Sequence, residues 1–390
     1  MALELPIYLD HAATTPVADE VLEAMLPYFS RAFANPASIY GPGAEARSAV
    51  DDARETIADS IGARPEEIYF TAGGTEANNW AIWGVTQAMR KEKLHVLTTQ
   101  IEHSSVLEPC ESLRSLGFEV EFLPVNSEGM LDPPELNRRI RPDTALVSVM
   151  FANNEVGSIQ PVAELGAICR ENGTPIHCDA VQALGKIPLD VRVLNVALMS
   201  LSAHKLYGPK GVGALYVRRG TRIASFLEGG EQERGRRAGT VNVPGVVGFG
   251  AACKLAGRVR EEETGQITEL RDRLIDGIES IVPGARLSGP RAERLPNNAH
   301  FCFDGVEGES LLLALDMAGI CASAGSACSA GSTEPSHVLL AMGYSVERAR
   351  GALRLTLGRA TTAESVEYTI DRLAGVVAEL RTLAVAPDLI

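Results

Sequence analysis

Positive charge is in short supply in this chain of 390 residues: 36 Lys and Arg stand against 50 Asp and Glu, a formal net charge of -14. Gripping a nucleic-acid backbone calls for clustered Lys and Arg, so direct nucleic-acid binding is not expected, and the acidity serves solubility instead. Cysteine is sparse and odd in number, with seven residues at 110, 169, 178, 253, 302, 321 and 328 and no C-x-x-C pair. That argues against both a disulfide framework and a zinc site. No stretch approaches the roughly 18 apolar residues of a membrane span. The opening MALELPIYLDHAATTP lacks the basic segment and long apolar core of a secretory signal. No internal repeat or low-complexity tract stands out. A cytoplasmic setting, with thiols kept reduced and no membrane contact, is the expectation.

What is present is ordinary globular material, 45% hydrophobic and 22% charged, enough for one large domain or two that share a sheet. The middle of the chain alternates short β-branched runs with amphipathic stretches. EIYFTAGGTEANNWAIWGV reads as strand, glycine turn and helix; LHVLTTQIEHSSVL, TALVSVMFANNEVGSIQP, TPIHCDAVQALGK and VALMSLSAHKLYGPKGVGALYVR follow the same logic. Strands alternating with helices predict an α/β fold whose largely parallel sheet is covered on both faces. After about residue 255 the texture changes to charged amphipathic helices around short strands, which predicts a smaller α+β unit. Ligands of open α/β sheets bind beyond the carboxyl ends of the strands. Thr75, His103, Asn154, Asp179 and His204–Lys205 all fall at such ends.

Each of these residues has an ordinary reading when taken alone. Lys205, after an apolar run and beside His204, is placed to be partly desolvated and so a usable amine nucleophile, or it is a solvated loop lysine. Asp179, closing an apolar strand, needs a partner such as a protonated pyridine nitrogen, or caps the next helix. Gln182, three residues on, offers an amide to a ring oxygen. The turn TAGGTEANN matches neither G-x-x-x-x-G-K-[ST] nor G-x-G-x-x-G. Its glycines and Thr75 still suit a phosphate at a helix N-terminus. His103 is placed to stack on a flat cofactor and move protons, or is structural. Arg354 in ALRLTLGR forks onto a carboxylate or forms a surface ion pair. Cys328 in ASAGSACSAGS lacks the bulky apolar neighbours of a buried structural cysteine. Together these roles describe a pyridoxal phosphate site: an amine, a carboxylate, a phosphate-cradling turn, a stacking histidine and an arginine for an amino-acid carboxylate.

In this order the motifs resemble those of the cysteine desulfurases of the NifS/IscS group, class V aminotransferases among the fold-type-I pyridoxal phosphate enzymes. YLDHAATTP, NPAS, FTAGGTEANN, EHSSVL, NNEVGSIQP, HCDAVQ, SAHKLYGPKGVGALYVR, RRAGTVNVPGVVG, GSACSAGS, EPSHVL and LRLTLGR carry the resemblance along nearly the whole chain. It implies a large domain over 15–257, with a mostly parallel seven-stranded sheet between helices. It implies a small domain from 1–14 and 258–390 that carries a catalytic loop at about 322–335. By the same resemblance Lys205 is the Schiff-base lysine, Asp179 the pyridine-nitrogen partner and Gln182 the ring-hydroxyl contact. Gly74, Thr75, Ser202 and His204 form the phosphate shell, and Thr240 reaches it from the other subunit of a homodimer. His103 lies over the ring and handles protons, Asn154 and Arg354 take the substrate carboxylate, and Cys328 accepts sulfur. The implied reaction converts L-cysteine to L-alanine and leaves a persulfide on Cys328. That sulfur then passes to an acceptor protein, for iron–sulfur cluster assembly, tRNA thiolation or DNA phosphorothioation. A selenocysteine lyase or another class V enzyme is the alternative, and Cys328 is the discriminator.

Overall fold

A computed structural model describes residues 5–324 and 334–385. Cys328 lies outside the described residues. A seven-stranded sheet forms the centre. It is built from β2 (Ile68–Thr71), β3 (His95–Thr99), β4 (Glu119–Leu123), β5 (Thr144–Met150), β6 (Ile176–Asp179), β7 (Leu198–Ser202) and β8 (Gly213–Val217), in the order β2-β8-β7-β6-β5-β3-β4. Only β8 runs antiparallel to its neighbours, so the sheet is mostly parallel, as predicted.

Every residue of β5, β6 and β7 is buried, the signature of a sheet covered on both faces. Successive side chains divide between two cores: Val147, Val149, Ile176 and Met199 join one, while Leu146, Leu198 and Leu215 join the other. A polar rung crosses the middle of this apolar sheet. His177 on β6 bonds Ser148 on β5 through Nδ1 and Ser200 on β7 through Nε2, both at 2.9 Å. Burial drives that ring down to about 3, so it stays neutral and serves as a satisfied structural histidine.

A third core gathers Ile7, Leu9 and residues from 274 to 377 around a three-stranded antiparallel sheet of β9 (Ala285–Leu287), β10 (Asn298–Phe303) and β12 (Ala352–Thr356). The N-terminal β1 (Ile7–Tyr8) pairs in parallel with β11 (Ile320–Cys321) beside it. The helix α8 (Val243–Ile281) runs unbroken for 39 residues from the first core to this one. The change of texture near residue 255 is therefore a change in what the helix faces, and the position 257/258 falls inside it. Glycines mark its close approaches: a Cβ on Gly250 would stand 2.8 Å from Ala53, and one on Gly248 2.6 Å from Met25.

Candidate active site

The carboxyl ends of β2, β3, β5, β6 and β7 open into one cavity of about 830 Å³. Its walls include Gly74, Thr75, His103, Asn154, Asp179, Gln182, Ser202, His204, Lys205 and Arg354, so ten residues singled out from the sequence meet in one place. Thr240 is exposed and is not among the lining residues.

The floor is set by Asp179, the last residue of β6 and 6% exposed. Its Oδ1 accepts the Val181 N–H at 3.0 Å, and its Oδ2 accepts Asn78 Nδ2 at 2.7 Å. Asn78 also donates to Ser105 Oγ at 2.8 Å, and Ser105 binds His103 Nδ1 through both its hydroxyl, at 2.8 Å, and its backbone N–H, at 3.1 Å. Because that N–H can only donate, Nδ1 keeps a lone pair and the neutral imidazole carries its proton on Nε2. Burial lowers the pKa of His103, and the Asp179 charge opposes this in part. His103 is also the N-cap of α5 (Ser104–Arg114), which fixes the ring at the cavity edge.

Lys205 follows β7 in a single 3-10 turn and turns back towards the N-terminal strand, where Nζ donates to Ala12 O at 2.6 Å and Ala13 O at 2.7 Å. Gln182 Nε2 shares Ala12 O at 2.9 Å. His204, beside Lys205, bonds Thr14 Oγ1 through Nδ1 at 3.1 Å and is lowered to about 4 by burial and by the lysines around it.

At the other end, α4 (Gly74–Met89) begins in the glycine turn, and the first-turn N–H groups of such a helix have no acceptor within it. Ser202 Oγ is buried beside this turn without a hydrogen-bond partner among the described residues. A buried hydroxyl left unpaired is costly, and a phosphate oxygen would satisfy it together with the helix amides. A Cβ on Gly213 would lie 2.7 Å from the Gly73 carbonyl carbon, so β8 presses the turn into position only because residue 213 is glycine. Arg237 braces the same turn through Glu76, at 2.8 Å, and Glu76 accepts the Ala72 N–H at 2.8 Å. A phosphate cradle, a ring-nitrogen partner and an amine thus stand in the order a pyridoxal phosphate would require, and the donor set fits that group.

Arg354 closes the remaining side from β12. It is 2% exposed, donates Nη1 to Asn154 O at 2.9 Å, and pairs Nη2 with Asp10 Oδ1 at 2.8 Å. Asn154 thus steers the guanidinium with its backbone carbonyl, a role its side-chain type does not announce. Further residues organise the rim. Glu155 is wholly buried, is raised in pKa by burial, and accepts Ser336 Oγ at 2.5 Å. His337 Nε2 donates to Glu102 O at 2.9 Å. Glu102 joins β3 to β5, its Oε1 accepting Thr99 Oγ1 at 2.6 Å and Met150 N–H at 3.0 Å. Asp10, Asn78, Glu102, Glu155, Ser336 and His337 were not singled out from the sequence, although all six lie within the quoted motifs.

Comparison with known proteins agrees with this geometry. The model of the family described as aminotransferase class-V matches residues 7–369. The chain is 51% identical over 378 residues to a cysteine desulfurase IscS of Dictyoglomus turgidum, covering 97% of this chain and 96% of that one. Among solved structures, a NifS-like protein superposes with a TM-score of 0.90 at 39% identity, covering 96% of this chain and 100% of that one. A structure described as SspA in complex with cysteine gives 0.81 at 37% identity, over 90% and 98% of the two chains. The chain belongs to the class V aminotransferase family, within its cysteine desulfurases.

Proposed function

We propose that this chain uses pyridoxal 5'-phosphate to take sulfur from L-cysteine, releasing L-alanine and leaving a persulfide on Cys328. The observation that carries the reading is the placement of Lys205, Asp179 and Arg354 around one cavity that also holds an unsatisfied serine hydroxyl at a helix N-terminus. Lys205 would hold the cofactor aldehyde covalently, Gly74, Thr75, Ser202 and His204 its phosphate, Gln182 its ring hydroxyl and Asp179 its ring nitrogen. When bound, the cofactor supplies an electron sink that labilises the substrate α-proton and weakens the carbon–sulfur bond.

The protein residues do the rest. Arg354, held by Asp10 and the Asn154 carbonyl, fixes the substrate carboxylate. Asp179, anchored by Asn78 and the Val181 amide, would present its carboxylate to the ring nitrogen. Lys205, whose Nζ reaches the Ala12 and Ala13 carbonyls, would serve as the base for the substrate α-proton. His103 holds a proton at Nε2 that the substrate sulfur can share. The Cys328 thiolate forms the sulfur–sulfur bond as the carbon–sulfur bond breaks, and the carbon takes up a proton. L-cysteine and the Cys328 thiol thereby become L-alanine and the Cys328 persulfide, with no external oxidant. We assign the onward sulfur to an acceptor protein of iron–sulfur assembly, in keeping with the relative named IscS, and the setting to the cytoplasm. Among the described residues no helix is long and apolar enough to cross a membrane. Thr240, exposed and next to the segment that Arg237 ties to α4, is assigned to the neighbour's phosphate in a homodimer.

The test is a purified protein incubated with L-cysteine and a thiol reductant. Alanine and sulfide should form in equal amounts, Cys328→Ala should keep the cofactor and lose sulfide, and Lys205→Ala should lose turnover. Sulfide release by Cys328→Ala at the parent rate would overturn the persulfide step and favour the lyase alternative.

A further inference from the structure

Lys186 has no part in the roles above, yet it stands directly behind them. It lies on the turn that follows Gln182, and its Nζ donates to Gln182 O at 3.0 Å and faces Gln182 Oε1 at 3.5 Å. The same Gln182 side chain donates Nε2 to Ala12 O, which also receives Lys205 Nζ. Two amines are thus linked through one amide and one carbonyl. Between them is a second cavity of about 50 Å³, separate from the large one and bordered by His11, Lys186, Lys205, Tyr207, Glu263 and Arg359.

The charges around that cavity leave Lys186 without a carboxylate of its own among the described residues. Glu263 is committed to Arg359, at 2.8 Å. His11 is tied to Thr356 O through Nδ1 at 2.9 Å, and burial lowers its pKa, so it adds no counter-charge. Tyr207 gives its hydroxyl oxygen to the Arg359 N–H at 2.8 Å, and its pKa is raised. His204, further along, is lowered first by burial and then by the charges of Lys205, Lys210 and Lys186. The remaining facing group is Lys205, a like charge. Burial first, and the Lys205 charge second, bring Lys186 from 10.5 to about 7.

We propose that Lys186 is a positioning residue for the cofactor ring: it orients the Gln182 amide from behind and, through the small cavity, biases the protonation of the Lys205 nitrogen. The proposal rests on the cofactor reading above. With an amine donor at Oε1, the amide has one orientation in which Nε2 serves Ala12 O and the ring side. An ammonium at 186 opposes a proton on the Lys205 nitrogen, and a neutral amine does not.

The experiment is a pH titration of the cofactor absorbance in the holoenzyme, without substrate, for the parent, Lys186→Met, Lys186→Gln and Lys186→Arg. Both neutral variants should raise the midpoint of the lysine-bound cofactor by about one pH unit, since a positive neighbour is lost. Lys186→Arg should stay within a few tenths of a unit of the parent, or fall below it, because its charge is retained. Cofactor release on dilution should be faster in the neutral variants. If Lys186→Met does not fold, the Gln and Arg pair reads the same contrast. A midpoint shared by parent, Gln and Arg variants would overturn the proposal while leaving the desulfurase reading intact. A parent protein that takes up no pyridoxal phosphate would overturn that reading, and this inference with it.

Discussion

Glu102 is completely buried between β3 and β5, with both hydrogen bonds made at Oε1 and none at Oε2 among the described residues. Burial, with a smaller contribution from the Asp179 charge, raises its pKa from 4.5 to about 8, so at neutral pH it is a protonated acid. The linkage has a definite sign. From about pH 4.5 to about pH 8 the native state holds a proton at this site that the unfolded chain has already released. Stability therefore falls as pH rises through that window, with a slope of up to about 1.4 kcal/mol per pH unit. Summed over the window the penalty is on the order of 5 kcal/mol. Glu102→Gln copies the neutral acid, its amide oxygen taking the Thr99 and Met150 bonds, and it does not titrate. The two proteins should unfold in urea within about 1 kcal/mol of each other at pH 5, and the variant should lead by several kcal/mol at pH 8. Tryptophan fluorescence of the cofactor-free proteins at a series of pH values measures the difference, in which every other titrating group cancels. Parallel curves across the whole range would refute a neutral Glu102.

Three other outcomes follow from the same contacts. Gly213→Ala places a Cβ 2.6 Å from Leu201 O and 2.7 Å from the Gly73 carbonyl carbon, so it should displace the phosphate turn; a cofactor affinity at least about tenfold weaker, with far-UV circular dichroism unchanged, is the reading to check by equilibrium dialysis. Asp10→Asn removes the carboxylate charge that pairs with the buried Arg354 guanidinium and should cost roughly 2 kcal/mol of stability, while the weaker competition for Arg354 lowers KM for L-cysteine. An unchanged KM would count against Arg354 as the carboxylate anchor. Brief treatment with iodoacetamide should spare Cys110, Cys169, Cys178, Cys253 and Cys302, all buried and with thiol pKa values raised by burial, while Cys328 is alkylated and sulfide production is lost; peptide mass spectrometry reads the sites.

Much of the site was legible because its chemistry is carried at strand ends, where a polar residue after an apolar run stands out. Asp179, Lys205 and His103 are of this kind, and the sheet that presents them follows from the alternation of strands and helices. Arg354 was legible by residue type, but its orientation was not. Asp10, which holds it, is 344 positions away, and nothing local in YLDHAATTP says which cation it will meet. Glu102 and Glu155 read as ordinary surface acids because sequence carries no mark of burial; the partners that reveal them, Met150 and Ser336, come from other elements. Lys186 is hidden for the same reason. Its GK dipeptide resembles a loop, and it is enclosed by residues far away in sequence: the segment after β1, α8, and the stretches around Pro296 and Gly358. The unbroken course of α8 was likewise concealed by a change from apolar to charged residues that reflects a change of surroundings.

The length of α8 bears on how the cavity is kept in register. At 1.5 Å per residue its 39 residues span about 58 Å, and its two ends are embedded in different cores, against α3 (Gly41–Ser60) at one end and α12 (Ala363–Val385) at the other. One wall of the cavity, with Lys205 and Asp179, rises from the seven-stranded sheet, and the Arg354 wall rises from β12 of the three-stranded sheet. The helix supplies no side chain to the large cavity, yet it acts as the axle on which both walls are mounted. Adding one residue at its middle would turn one end against the other by about 100° and slide it by about 1.5 Å. The distance between amine and guanidinium is thus a property of helical phase, written into a segment remote from any reacting atom.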